Sequence, residues 1–398
     1  MNIDPAQPWS ADEWNEAPIP ISVLTGFLGS GKTTLLNRIL RDPAFARTLV
    51  VINEFGSIGL DHDLMARSKE SVAVEMSSGC LCCTIRSDLQ KTLRDVWWRY
   101  ARGGKRWFDR VIIETTGLAD PAPILHTLMT DPGLLDLYAL DSVVTTVDSV
   151  NGMATLDRQE EAVKQAAMAD RLMVTKTDIA DEAEIAALEA RLRALNSAAP
   201  IQRIVQGECT PASLFGAGVY DPSTKGEVVL EWLAAESYRQ QHHGAGHGHH
   251  HDHHHDHHHD QGHDHGHAHT HDENRHDDHI RSVCLTIAQP IPEDVLVNWI
   301  GILAIFAGPE LLRLKAILNV AGEERPVVLH GVQHVLHPVY LLEKWPGTDR
   351  RSRIVFIVRD MTGDTLAGMI KMLTDRLDGV AIRGADDLPL PPAPAAVA

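Results

Sequence analysis

The feature that most constrains this chain is a glycine-rich stretch, Gly26-Phe27-Leu28-Gly29-Ser30-Gly31-Lys32-Thr33, which reads G-x-x-x-x-G-K-T. The pattern is typical of a phosphate-binding loop between a strand and a helix. Residues 19–25 alternate like a strand, and apolar residues at helical spacing follow from Thr34. The glycines let backbone N–H groups and the helix N-terminus face an oxyanion. The stretch therefore predicts a nucleoside triphosphate site; the alternative is a glycine-rich turn without a ligand.

Individual residues of this loop have distinct expected roles. Lys32 is expected to reach the β- and γ-phosphates and to take part in catalysis, and the Thr33 hydroxyl to ligate Mg²⁺. The other nucleotide contacts predicted for the loop and the helix start are Gly26, Gly29, Ser30, Gly31 and Thr34.

Composition excludes several classes of protein. With 398 residues and 44% apolar content, the chain can fill the cores of two ordinary domains. Its formal charge of −18 argues against a nucleic-acid binder or a protein held on anionic lipid. Five cysteines, three of them clustered, suit a reducing compartment better than a disulfide framework. Residues 1–18 lack the apolar core of a signal peptide, and no stretch approaches an uncharged membrane span. We expect a cytoplasmic protein without a membrane partner.

Strand-like and helix-like runs alternate from residue 19 onward, which predicts an α/β fold with a parallel sheet flanked by helices. Thr48–Asn53 reads as a buried strand and leads into a loop that contains Glu54 and Asp61. In a P-loop protein such a loop can approach the γ-phosphate and Mg²⁺. Glu54 is our candidate for positioning the catalytic water; the alternative is an ordinary solvated acidic loop.

A second nucleotide motif follows the apolar run that starts at Arg110. The run ends in Glu114, and Gly117 lies three residues later. At this distance after a P-loop, an acid at a strand end is the place of the Walker-B carboxylate that holds Mg²⁺. We assign Glu114 to Mg²⁺ and to catalysis, and the Gly117 N–H to the γ-phosphate.

Two further strands are predicted, one over Ser142–Asp148 and one from Arg171. A third motif, Thr175-Lys176-Thr177-Asp178, closes the second of them. It is close to the N-K-x-D element by which GTPases read the base. An aspartate can accept from both N1–H and the exocyclic amine of guanine, a pattern that adenine does not offer. We expect the Lys176 stem to pack on the purine face and Asp178 to read its edge. Alone the motif could be any polar strand end, but as the last of an ordered series it favours GTP over ATP.

Three thiols lie within four residues, at Cys80, Cys82 and Cys83, between a short strand and a helix-like run from Ile85. Convergent thiolates bind ions such as Zn²⁺, Cu⁺ or Co²⁺, and a nearby helix N-terminus favours the thiolate form. The alternative is a set of small buried cysteines at a tight junction. Further ligands could come from Glu75, His62, another chain or the nucleotide.

Together these motifs resemble the CobW-type metallochaperone GTPases, a branch of the SIMIBI P-loop class, over most of the chain. The least generic match is the Gly79-Cys-x-Cys-Cys83 loop beside Asn53-Glu-Phe-Gly-x-x-Gly-x-Asp61. The resemblance implies that the three cysteines bind a transition metal whose loading and release follow the nucleotide state. It also implies that Glu114 replaces the aspartate of ordinary GTPases. Small polar residues occur in the family at the position of Thr175, where Asn is the commoner GTPase residue.

A histidine-rich tract separates the two halves of the chain. Between residues 242 and 279 lie 19 of the 24 histidines, interleaved with Asp and Gly. Such a composition cannot bury enough apolar surface to fold, and it predicts a disordered segment that collects divalent metal. The alternative is a merely solvated linker.

The chain becomes globular again after this tract, and its strand and helix pattern resembles the CobW C-terminal domain. The matching strands include Leu311-Leu-Arg313-x-Lys315 and the strand from Arg351, and helices are predicted over Glu293–Phe306 and Leu366–Leu377. We therefore predict a smaller α+β domain. The predicted segments are a flexible lead-in (1–18), a P-loop GTPase domain (19–220), a linker (221–280), the C-terminal domain (281–385) and a Pro/Ala-rich tail (386–398).

The resulting hypothesis is a slowly hydrolysing GTPase that delivers a transition metal, Zn²⁺ foremost, to a client metalloenzyme. Its expected cofactors are GTP and Mg²⁺, nucleic acid is not an expected partner, and a homodimer is one expected assembly. The alternatives are Co²⁺ delivery for cobalamin synthesis or to a nitrile-hydratase-type enzyme, a metal store, and a small-molecule kinase.

Overall fold

The computed structural model describes residues 18–53, 72–75, 82–99, 101–102, 105–106, 108–215, 279–306, 308–342, 344–345, 347–377 and 379–383. The strands of the first half are β1 (Ile19–Gly26), β2 (Thr48–Asn53), β3 (Val72–Glu75), β4 (Ala101–Arg102), β5 (Lys105–Arg106), β6 (Arg110–Thr115), β7 (Tyr138–Asp148), β8 (Arg171–Thr175) and β9 (Ile201–Ile204). The helices there are α1 (Lys32–Ile39), α2 (Cys82–Arg99), α3 (Ala122–Thr130), α4 (Pro132–Leu135), α5 (Gly152–Arg158), α6 (Glu160–Met168), α7 (Glu182–Leu195) and α8 (Pro211–Leu214).

Within the described residues, seven strands form a parallel sheet in the order β3-β2-β6-β1-β7-β8-β9. β4 and β5 pair separately as a short antiparallel hairpin. The chain winds outward from β1 to β2 and β3, returns to β6, and then crosses to β7 on the other side of β1. Ligands of open α/β sheets bind at the carboxyl ends of the strands at such a switch point. The glycine-rich loop leaves the sheet at this position.

Both faces of this sheet are buried, which explains its nearly continuous apolar strands. In β1, Val23 joins the apolar cluster on one face, and Leu24 joins the cluster on the other. The helix α1 covers the Leu24 face with Leu35 and Ile39. The prediction of an α/β fold with a flanked parallel sheet is confirmed.

The second half contains β10 (Ile280–Ile287), α9 (Glu293–Phe306), β11 (Leu311–Leu318), β12 (Val327–Val332), β13 (Val335–Leu336), β14 (Tyr340–Leu341), β15 (Ser352–Arg359), α10 (Gly363–Thr374) and β16 (Val380–Arg383). Among the described residues its sheet runs β13-β12-β11-β15-β10-β16, with β14 beside β12, and its strand pairs are antiparallel. This arrangement confirms the predicted second α+β unit.

The two halves share an apolar core. One face of the C-terminal sheet packs under α9 and α10, where Trp299 and Phe356 meet edge to face with ring centroids 5.9 Å apart. The opposite face contributes Leu312, Val355 and Ile357 to the same cluster as the helices of the first half. From α1 onward, the layers are therefore helix, parallel sheet, helices, antiparallel sheet and helices.

A buried charge cluster joins the two sheets. Asp170, directly before β8, accepts from Arg313 Nη2 at 2.7 Å and from Lys315 Nζ at 2.6 Å, and its second oxygen accepts from the Val143 N–H at 2.8 Å. Burial alone would raise the pKa of the Asp170 carboxyl, but the charges of Arg313 and Lys315 hold it well below its ordinary range. The Arg-x-Lys pair of β11 thus fixes the C-terminal sheet to the strand that leads to Lys176.

A second polar contact links α3 to the C-terminal sheet. The His126 Nε2 atom lies 3.1 Å from the Val332 carbonyl oxygen, and the His126 and His334 rings pack with centroids 4.9 Å apart. None of the described helices is both long enough and apolar enough to cross a membrane.

Candidate functional site

The glycine-rich loop wraps tightly at the carboxyl end of β1. A Cβ on Gly26 would lie 2.3 Å from Thr146 Oγ1 and 2.4 Å from the Thr146 carbonyl oxygen, so only glycine fits there. Gly29 and Gly31 have φ angles of 72° and 98°, which lie in the left-handed region that favours glycine. No side chain caps the N-terminus of α1 at Gly31. The first backbone N–H groups of α1 are therefore available to an anion.

Lys32 lies folded over this loop. Its Nζ donates to the carbonyl oxygens of Gly26 at 2.7 Å and Phe27 at 3.1 Å, and its side chain is largely buried. The ammonium charge is thereby held in the concavity where phosphate oxygens would lie. Thr33 is half-buried and Thr34 is exposed, both in the first turn of α1.

Neighbouring strands stiffen the loop through hydroxyl groups. Ser30 Oγ lies 2.7 Å from Thr146 Oγ1, and the Ser30 N–H donates to the Phe27 carbonyl oxygen at 3.2 Å. Thr175 Oγ1 donates to the Ser30 carbonyl oxygen at 2.7 Å. Thr175, at the position where Asn is commoner, thus ties the end of β8 to the phosphate loop.

Lys176 and Asp178 follow Thr175 at the same sheet edge. Lys176 adopts a left-handed φ of 59°, and its Nζ forms an ion pair with Asp148 Oδ2 at 2.7 Å. Asp148 also accepts from the Asn151 amide and from the Val150 N–H, at 2.8 Å each. Burial alone would raise the pKa of Asp148, but the bonds from Lys176, Asn151 and Val150 keep it below its ordinary value. The Asp178 side chain is exposed and open to a ligand.

Glu114 and Gly117 lie on the other side of β1. Glu114 is 8% exposed at the end of β6, opposite Leu24 in the pairing register. A Cβ on Gly117 would lie 2.7 Å from the Leu28 nitrogen, so the two backbones are in direct contact. The structure therefore brings together the phosphate loop, the strand that ends near Glu114 and the Thr175–Asp178 segment.

A cleft of about 180 Å³ lies beside the phosphate loop. Its lining includes Leu28, Thr146, Asp148, Asn151, Gln165 and Lys176. Four of these lining residues were not predicted as site residues: Thr146, Asp148, Asn151 and Gln165. Asp148 closes a strand as Glu114 does, and that position was the signal that could have found it. Gln165 lies within a helix and carries no such signal.

The metal-binding prediction falls mostly outside the described residues. Cys80, Glu54, Asp61, His62 and most of the histidine-rich tract, residues 242–278, lie there. The helix α2 begins at Cys82, three residues before the predicted helical run, so Cys82 and Cys83 form its first turn. Within the described part of the chain, no group of three or more His, Cys, Asp or Glu side chains is placed to hold a metal.

The backbone register relates the cysteine segment to Glu114. Ile52 of β2 pairs with Glu75 of β3 on one side and with Glu114 of β6 on the other. The chain that leads from Glu75 to the cysteines therefore leaves the sheet two strands from Glu114, which is about 10 Å at the usual strand spacing.

Comparisons with known proteins agree with this architecture. Residues 20–203 match the family described as "CobW/HypB/UreG, nucleotide-binding domain", and residues 280–373 match "Cobalamin synthesis protein cobW C-terminal domain". The zinc chaperone YjiA of Escherichia coli (strain K12) is 29% identical over 340 residues, which cover 85% of this chain and 94% of YjiA. The zinc chaperone CobW of Sinorhizobium sp is 28% identical over 371 residues, which cover 86% and 93% of the two chains.

Two further matches extend this pattern. The zinc-regulated GTPase metalloprotein activator 1 of Schizosaccharomyces pombe is 33% identical over 196 residues, 48% of this chain and 46% of that protein. The crystal structure of Zn(II)-bound YjiA GTPase from Escherichia coli matches with a TM-score of 0.59 at 25% identity, over 90% of this chain and 99% of that one. With both its nucleotide-binding and its C-terminal domain matched, this chain belongs to the CobW family.

Proposed function

We propose that this protein is a GTP-dependent zinc chaperone. The support from similarity is that two proteins named zinc chaperones match more than four fifths of its length. The support from structure is the pairing of Ile52 with both Glu75 and Glu114. This register is the observation that carries the proposal. Glu75, which precedes the cysteine segment, lies at the same level of the sheet as Glu114, which we expect to respond to the nucleotide.

The nucleotide is proposed to be GTP bound with Mg²⁺. The phosphates lie in the loop formed by residues 26–33, and Asp178 reads the guanine edge while the Lys176 stem packs on its face. Thr33 and Glu114 offer the hard oxygen ligands that Mg²⁺ prefers, and the burial of Glu114 at the strand end fits a metal-directed carboxylate. When bound, Mg²⁺ neutralises phosphate charge.

Hydrolysis is proposed to depend on three residues of this chain. Lys32 holds a positive charge at the phosphates, the Gly117 N–H meets the γ-phosphate, and Glu54 positions the attacking water. The expected turnover is slow.

The cargo is proposed to bind at Cys80, Cys82 and Cys83. A start of α2 at Cys82 supports this role, because the N-terminus of an 18-residue helix favours thiolates over thiols. GTP binding would order the segment after β2 and shape the cysteine site; hydrolysis or contact with a client metalloenzyme would release the ion. The histidine-rich tract would collect metal nearby with many interchangeable imidazoles.

The nucleotide half of the proposal is tested by comparing GDP with ADP. Fluorescent GDP should bind at least tenfold more tightly than the matching ADP, and Asp178→Ala should abolish that preference. Lys32→Ala should abolish GTP hydrolysis. Equal binding of GDP and ADP would overturn the guanine assignment.

The metal half is tested by zinc release. Protein loaded with one equivalent of Zn²⁺ is mixed with a chromogenic chelator in the presence of GTP or a non-hydrolysable analogue. Faster transfer during GTP turnover, absent with Lys32→Ala, is the expected result. Transfer rates that do not depend on the nucleotide would contradict the chaperone function.

A further inference from the structure

Gln165 of α6 forms hydrogen bonds with the segment that follows β6. Its side chain is fully buried at 0% exposure, and its Nε2 donates to the carbonyl oxygens of Gly117 at 3.2 Å and Ala119 at 2.9 Å. The Gln165 amide thus donates hydrogen bonds to two backbone carbonyl oxygens of the same loop.

The same loop meets the phosphate loop on its other side. A Cβ on Gly117 would lie 2.7 Å from the Leu28 nitrogen and 2.8 Å from the Leu28 Cα. The backbone around Gly117 is therefore held between Leu28 and Gln165, and its distance from the phosphate loop is fixed from both sides.

The helix that carries Gln165 is itself anchored. Thr145 Oγ1 donates to the Gln165 backbone carbonyl at 2.8 Å, which fixes α6 to β7. Lys164 lies 3.8 Å from Asp120, so α6 contacts the same loop a second time. Gln165 thus links an anchored helix to the backbone around Gly117.

A buried amide at position 165 costs free energy that an apolar side chain of the same shape would not. Carbonyl oxygens only accept hydrogen bonds, so the amide NH₂ must face Gly117 and Ala119. Among the residues that the structure describes, the buried Gln165 Oε1 atom has no hydrogen-bond partner, and an unpaired buried amide oxygen is uncommon and costly. An apolar side chain of the same shape would fill this space without that cost.

We propose that Gln165 is a positioning residue for γ-phosphate recognition. It holds the Gly117 backbone against the phosphate loop, so that the Gly117 N–H is in place when a triphosphate binds. GDP has no γ-phosphate, and its binding does not need this placement. The inference rests on the proposed binding of guanine nucleotides, and it adds a residue that distinguishes the triphosphate from the diphosphate.

The test compares Gln165→Met with wild-type full-length protein. Methionine keeps the length and volume of the side chain but removes both donors. Affinities are measured with Mg²⁺ for fluorescent GDP and for fluorescent guanosine 5′-(β,γ-imido)triphosphate. We expect the affinity for the triphosphate analogue to fall at least about fivefold and that for GDP to change less than about twofold. Gln165→Glu, which turns an acceptor toward two carbonyl oxygens, should lower the triphosphate affinity further.

A matched control uses another buried amide, that of Asn196 directly after α7, which bonds to the end of α6. Asn196 Nδ2 donates to the carbonyl oxygens of Ala166, Ala167 and Ala169 at the end of α6, far from the Gly117 loop in sequence. Asn196→Ala should lower Tm while leaving the ratio of triphosphate to diphosphate affinity unchanged. An unchanged ratio of triphosphate to diphosphate affinity in Gln165→Met would overturn the role of Gln165 but not the proposed function. Failure of the wild-type protein to bind either guanine nucleotide would overturn the proposed function with it.

Discussion

The Thr175 hydroxyl donates a 2.7 Å hydrogen bond to the Ser30 carbonyl oxygen, which joins the end of β8 to the phosphate loop. Thr175→Val keeps the shape of the side chain and removes this bond. Loss of one buried hydrogen bond costs about 1 kcal/mol, so we expect affinity for GDP and GTP to fall about fivefold together.

The control for Thr175 is Thr127→Val, which removes a threonine bond to the Pro123 carbonyl oxygen within α3. Thr175→Asn should retain most of the affinity, because its amide can still donate to Ser30. Wild-type affinity in Thr175→Val, measured by nucleotide fluorescence, would show that the loop does not depend on this bond.

Gly26→Ala should strongly weaken nucleotide binding. The added Cβ would collide with Thr146, and the φ of Gly26 is 141°. Because the collision is partly with backbone, the loop must move to relieve it, and we expect at least about a tenfold loss of affinity for both nucleotides. Gly368→Ala on α10 is the matched substitution that should bind normally, because among the described residues the added Cβ meets no atom within 4 Å beyond its chain neighbours and its own helix backbone.

Asp148→Asn tests the support of Lys176. The Asp148 carboxylate holds the lysine at 2.7 Å, and the amide would remove the charge that fixes it. We expect a threefold to tenfold loss of GDP affinity, with roughly 0.5–1.5 kcal/mol of coupling in a double-mutant cycle with Lys176→Met. Additive effects of the two substitutions would mean that Asp148 acts independently of Lys176.

Asp170→Asn should destabilise the whole protein. The substitution leaves Arg313 and Lys315 buried without their shared carboxylate, and removing one partner of a buried pair costs about 3–5 kcal/mol of the free energy of unfolding. Chemical denaturation measures this loss. Asp109→Asn, in a half-exposed pair with Arg47, should cost less than about 1 kcal/mol.

The Asp170 contribution also has a defined pH dependence. The pKa of Asp170 is lower in the folded protein than the value of about 3.9 in unfolded chains. The carboxylate therefore stabilises the fold fully above the unfolded pKa, and this stabilisation is lost as pH falls from the unfolded pKa through the lower folded pKa. The free energy of unfolding of Asp170→Asn should fall less steeply between pH 5 and pH 3 than that of the wild-type protein. Identical slopes would contradict this assignment.

Sequence patterns predicted the local elements well where apolar periodicity is strong. The bounds of β2 (Thr48–Asn53) and α9 (Glu293–Phe306) agree with the prediction residue for residue. β7 begins at Tyr138 rather than Ser142, because Asp141, a residue that reads as a strand breaker, is buried within the sheet. The C-terminal helix begins at Gly363 rather than Leu366, because the Thr362 side chain caps its start.

Contacts between distant segments could not be predicted from the sequence patterns. The bonds from Gln165 to Gly117 and from Asp170 to Arg313 join residues 48 and 143 positions apart. Each depends on where the sheet order places the elements, and no spacing rule along one chain encodes that order. The sequence patterns therefore predicted the motifs of the candidate site and missed the side chains that support them.

In the proposed mechanism, the nucleotide state changes the metal affinity of the cysteine segment. The most direct test of this mechanism is a competition titration of Zn²⁺ on the full chain with Mg²⁺ and either GDP or a non-hydrolysable GTP analogue. A Cys80→Ala, Cys82→Ala, Cys83→Ala variant run in parallel isolates the thiols from the histidine-rich tract. We expect an apparent Kd for Zn²⁺ at least about fivefold lower with the GTP analogue, a difference that the variant lacks. The same Kd in both nucleotide states would contradict the mechanism.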